Sequence, residues 1–124
     1  MVVLAAGTSV EEPLEPATQT GKWHENGTLR GKSALEWQAA PAWNKLATCA
    51  ELISTMWREG HLRPAIADRL SGVDDIRPYA RRLVKTLDTA LEAHPDLEQN
   101  REEFAHQTVV TAAKEAMIEL GWTK

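Results

Sequence analysis

Cysteine is nearly missing from this chain, and Cys49 is the only one. A single thiol excludes an intrachain disulfide framework and a cysteine-rich zinc site. It suits a reducing compartment, and the cytoplasm is the expected location. Long apolar runs are missing too. None reaches the roughly 18 residues that a membrane-spanning helix needs, so no membrane association is expected. The opening Met1–Ser9 has no basic start and too short an apolar stretch for a secretory signal. Asn26-Gly27-Thr28 fits a glycosylation sequon, which carries little weight without such a signal. There is no glycine-rich phosphate loop. His24, His61, His94 and His106 show no metal-ligand spacing, so no metal and no cofactor is expected. Phe and Tyr occur once each. Basic charge is in deficit: the net charge of -4 argues against a polyanion-binding surface overall.

What is present is helical periodicity. Ser33 followed by Glu36 fits a capping box and opens a short helix, 34–40. Pro41 suits the first turn of a second helix that runs to Glu59, with Gly60 as its stop. Trp43, Leu46, Ala47, Ala50, Ile53 and Trp57 recur at spacings of three and four, and Cys49, Leu52 and Met56 widen that stripe. An apolar arc this broad predicts a central helix, or one that serves a dimer contact as well as the core. Arg63-Pro64 starts a short helix through Leu70. Asp74 or Asp75 is the expected cap of the next helix, with Pro78 in its first turn and His94-Pro95 as its end. Asp96 or Asn100 should cap one last helix, running to Leu120 before Gly121.

The first 20 residues hold Glu11, Glu12, Glu15, Pro13 and Pro16 with no basic residue, and read as an extended arm. Asn26-Gly27 is a strong hairpin turn signal, so a short β-hairpin is expected over 22–30, docked on the helices by Trp23. The predicted organisation is therefore an arm, 1–32, and an all-α bundle, 33–124. The bundle has three long and two short helices.

No residue pattern points to catalysis. Cys49 lies on an apolar helix face with no basic neighbour to lower its pKa, so it reads as a core residue. Acidic residues at the start of the last helix favour its dipole and need no function. One arrangement is not explained by helix stability. Arg77, Arg81, Arg82 and Lys85 occupy the N-terminal half of their helix, against the dipole, and Arg77, Arg81 and Lys85 stack at intervals of four. They are either a solvated face with ion pairs, such as Lys85 with Asp88, or a surface for an anionic partner. Ile66–Ile76 has the outline of a helix-turn-helix ahead of those arginines. Its turn is about one residue too long, Pro78 intrudes early, and Asp74 and Asp75 would repel phosphate.

Three functional classes follow, in order. The first is a non-catalytic protein-interaction or self-assembly module. It is expected to be a homodimer with Leu52, Met56 and Trp57 at the contact, and to bind a protein partner through Arg77, Arg81, Arg82 and Lys85. The second is a small-ligand or regulatory domain with a pocket lined by Trp37, Trp43 and Trp57. The third, least favoured, is a nucleic-acid-binding regulator with a degenerate helix-turn-helix.

Overall fold

A computed structural model of the protein describes residues 22–123. The expected arm, 1–20, lies outside those residues. The described part is an all-α bundle of six helices: α1 (Ala34–Ala39), α2 (Ala42–Arg58), α3 (Pro64–Ala67), α4 (Val73–Ala90), α5 (Leu97–Phe104) and α6 (Val109–Glu119). No helix among them is long and apolar enough to cross a membrane.

α2 is the centre. It packs along α4 and also meets α6, which in turn packs on α4. Lys45, near the start of α2, reaches Asp88, near the end of α4, at 2.9 Å, so these two helices run antiparallel. Their shared core holds Ile53, Ile76, Leu83, Leu87, Val109 and Met117, each fully buried. Burying one such side chain contributes about 1.5–3 kcal/mol before entropy is counted. The alanines at 112, 113 and 116 are buried on α6, and small side chains there allow close helix approach. Leu52 is also buried, at 4% exposure, within this one chain. The breadth of the α2 apolar arc is thus matched by neighbours from its own chain.

Ser33 caps α1 as expected, its hydroxyl accepting from the Glu36 amide. The last helix departs from expectation, because it is two helices. Asp96 caps α5, accepting from the amides of Glu98 and Gln99. Thr108 then restarts the chain in extended geometry (φ -94°, ψ 151°) and caps α6. The break is held by the 30–34 backbone. Val109 N–H donates to Lys32 O at 2.9 Å, Val110 N–H to Arg30 O at 3.1 Å, and Ala34 N–H to Gln107 O at 2.7 Å. Amides that a continuous helix would satisfy internally are satisfied across the fold instead. Asn100, the other expected cap, is buried and exchanges hydrogen bonds with the Gln38 side chain, tying α5 to α1.

Two further expectations change. α4 begins at Val73, with Gly72 as N-cap, so Asp74 and Asp75 lie in its first turn and Pro78 inside the helix. Asp75 reaches back to accept from both the amide and the hydroxyl of Ser71. No strand forms over 22–30. Asn26 does adopt positive φ, at 72°, but Gly27 does not. This segment lies along α2 instead: Thr28 N–H donates to Asn44 Oδ1 at 2.9 Å and Leu29 N–H to Thr48 Oγ1 at 3.2 Å. Partners on α2 satisfy the backbone that a hairpin would otherwise pair with itself. Leu29 joins the core at 4% exposure.

Candidate interaction groove

One flank of α2 faces α6 across a groove of about 640 Å³. The connection from Glu59 to Pro64 closes one end. That connection is fixed by a local bridge, in which Arg63 N–H donates to Trp122 O at 2.8 Å and Leu62 pairs with Thr123. Gly60 makes the turn possible through its positive φ of 76°.

The apolar lining comes from Leu52 and Met56 of α2, Leu62, and Val110, Met117 and Ile118 of α6. Leu52 and Met117 are buried, Met56 is half-buried, and Ile118 is 53% exposed. Around this lining stand Arg30, Arg63 and Lys114. Arg30 and Lys114 form no ion pair among the described residues, while Arg63 donates through Nε to Thr123 O at 3.3 Å. Among the described residues Glu59 is the one carboxylate in the lining, and it faces His61 at 3.5 Å. The rim therefore carries more positive than negative charge, on a chain whose net charge is -4. Beside it, burial raises the pKa of Glu51, while the Gly27 amide and the charges of Arg30 and His24 oppose that rise.

Of the residues expected at a chain contact, Met56 lines this groove and is half-buried. Leu52 lines its floor but is covered by the chain itself. Trp57 is half-buried, packs against the core and does not line the groove. None of Trp37, Trp43 and Trp57, the expected pocket lining, lines the groove. Trp37 is a core residue at 1% exposure, with Nε1 donating to Asp88 Oδ1 at 3.0 Å. Trp43 is half-buried at the start of α2.

The cationic stripe of α4 divides. Arg77 is half-buried and stands 5.0 Å from the centre of the Trp23 ring. Arg81, Arg82 and Lys85 are exposed and form no ion pair among the described residues. Asp88 engages Lys45 rather than Lys85. Arg82 and Lys85 border a shallow depression of about 510 Å³ with Glu119. In the segment with helix-turn-helix outline, α3 is only four residues long.

Among the described residues no three His, Cys, Asp or Glu side chains gather as a metal site. His94 pairs with Glu103 and stacks on Phe104 at 5.9 Å. Cys49 is fully buried. Burial, and then the charge of Asp88, push its thiol pKa far up, which suppresses the thiolate that nucleophilic chemistry requires. Sequence reasoning did not find Arg30, Lys114 or Ile118. Arg30 lies in a loop without periodicity, and the other two lie off the buried face of α6 that Ala112, Ala113 and Ala116 form.

Comparison with known protein families, curated proteins and solved structures finds no match to this chain.

Proposed function

We propose that this chain is a small, non-catalytic protein-interaction module whose docking face is the α2–α6 groove. The observation that carries this reading is the combination of lining and rim. Met56 and the exposed Ile118 offer apolar contact, and Arg30, Arg63 and Lys114 frame it with positive charge. Such a surface suits an acidic amphipathic segment. Apolar anchors supply contact area, and charge at the rim speeds encounter and excludes basic competitors. In the self-associating form of this reading, a homodimer, the contact would centre on Met56 and Ile118, since the chain itself covers Leu52. Arg81, Arg82 and Lys85 would then serve as a second, peripheral surface for an anionic protein. The cytoplasm, suited to a lone reduced cysteine, is the proposed location.

The test is direct binding of two synthetic peptides, one alternating Leu and Glu, the other Leu and Lys. The protein carries ¹³C-methyl methionine. The Leu/Glu peptide is expected to shift the Met56 and Met117 methyl signals, more weakly at high salt, and Ile118→Glu with Lys114→Glu should abolish the effect. Equal or tighter binding of the Leu/Lys peptide would overturn the reading. Light scattering across concentration decides the homodimer separately.

A further inference from the structure

The groove has a complement within the same sequence. Val10 to Pro16 reads Val-Glu-Glu-Pro-Leu-Glu-Pro, and no Lys or Arg precedes Lys22. Val10 and Leu14 match the apolar lining, and Glu11, Glu12 and Glu15 match the cationic rim of Arg30, Arg63 and Lys114. We infer that Val10–Pro16 docks in the α2–α6 groove of its own chain and competes there with any external partner.

Reach favours this occupant. Arg30 lines the groove, and Lys22 precedes it by eight residues, with Trp23 held at the start of α4 by a 3.4 Å contact with Asp74. The link from Pro16 to Lys22 can span roughly 20 Å when extended, enough to cross one flank of α2. A tether this short sets an effective concentration near the millimolar range, which a second copy in dilute solution does not match. Pro13 and Pro16 restrict the undocked backbone, which lowers the entropy lost on docking. Opposite charge at the rim adds to this and makes the contact sensitive to salt. This inference rests on the groove being a docking face, and it names the segment that holds the face when no partner is bound.

The experiment uses the full chain with ¹³C-methyl methionine. Its three methionines are Met1, Met56 and Met117, and the last two line the groove. Val10→Ser with Leu14→Ser is expected to shift both groove methyl signals, and so is charge reversal of Glu11, Glu12 and Glu15 to Lys. The Trp37 indole N–H signal should stay in place, which shows that the core is intact. A carbodiimide should join Lys114 to one of those glutamates. In a mixture of ¹⁵N and ¹⁴N protein, the links should form within single chains. The Val10→Ser, Leu14→Ser chain should also bind the Leu/Glu peptide about tenfold more tightly, because the competing segment is gone.

Unmoved methyl signals, or links that form only between heavy and light chains, would overturn the inference. If peptide affinity is the same in both chains, the groove is a docking face and this segment is not its occupant. If neither chain binds the peptide, the docking reading falls as well.

Discussion

Gly27 and Thr48 meet backbone to backbone: a Cβ on Gly27 would stand 2.6 Å from the Thr48 amide nitrogen and 2.8 Å from its Cα. Neither atom can move without moving α2. Glycine is needed here for close approach. Gly27→Ala is therefore expected to cost about 1–3 kcal/mol, as overpacking does. Gly31 has nothing within 4 Å of its own Cβ position, so Gly31→Ala is the neutral control. Urea melts of the two variants check this, and equal stability would mean that the 22–30 segment can lift away at little cost.

Asp88 serves two donors with one oxygen, Trp37 Nε1 at 3.0 Å and Lys45 Nζ at 2.9 Å. The Trp37 side chain is buried, whereas the side chain of Asp88 is 48% exposed. Losing the acceptor should cost more than losing the partly exposed ion pair. Asp88→Ala is expected to lower stability by about 1–3 kcal/mol, the cost of a buried donor left unsatisfied. Asp88→Asn keeps an acceptor and should recover most of that loss. If Asn is as damaging as Ala, the ion pair with Lys45 matters more than the indole bond.

The cationic stripe of α4 should separate by position. Arg81→Gln with Lys85→Gln is expected to leave stability unchanged or slightly raised. Both side chains are exposed, repel one another and oppose the helix dipole, effects worth a few tenths of a kcal/mol. Arg77→Gln should lose about 0.5–1 kcal/mol, because Arg77 stacks over Trp23. Thermal melts of the double and single variants are the measurement. A clear loss in the double variant would show those charges to be structural.

Two carboxylates should respond to acid in opposite directions. Hydrogen bonds from Ser71 hold the Asp75 pKa below its ordinary value, so its contribution is present above the unfolded pKa. That contribution is lost as pH falls below about 4, through the folded value. Burial raises the Glu51 pKa, so the folded state takes up its proton more readily than the unfolded state does. Stability tied to Glu51 therefore rises as pH falls through that raised value, and at neutral pH its charge is a deficit. Melting temperature against pH for Glu51→Gln and Asp75→Asn tests both signs. Glu51→Gln should be more stable than the parent at neutral pH, and Asp75→Asn should lose less stability on acidification.

Much of this bundle is determined locally. The Ser33 cap and the α2 stripe ending before Gly60 were legible because helix periodicity and capping involve residues within a few positions of one another. Cys49 could be read as inert for the same reason, from its place on an apolar face. Other features were settled only by contacts distant in sequence. The break before Val109 depends on carbonyls of Arg30 and Lys32, so the periodicity of the last helix could not reveal it. Asn26-Gly27 resembles a hairpin turn, yet Asn44 and Thr48 capture the following backbone and Gly27 serves contact with α2. The groove was the least legible feature. Its cations come from the 22–32 segment, the turn after α2, and α6, and only the packing of those elements brings Arg30, Arg63 and Lys114 around Met56. Local sequence sets which segments become helices, because that depends on propensity and short-range hydrogen bonds. Tertiary packing decides where they end and which surface stays open, because it depends on polar backbone groups and apolar faces finding partners elsewhere in the chain.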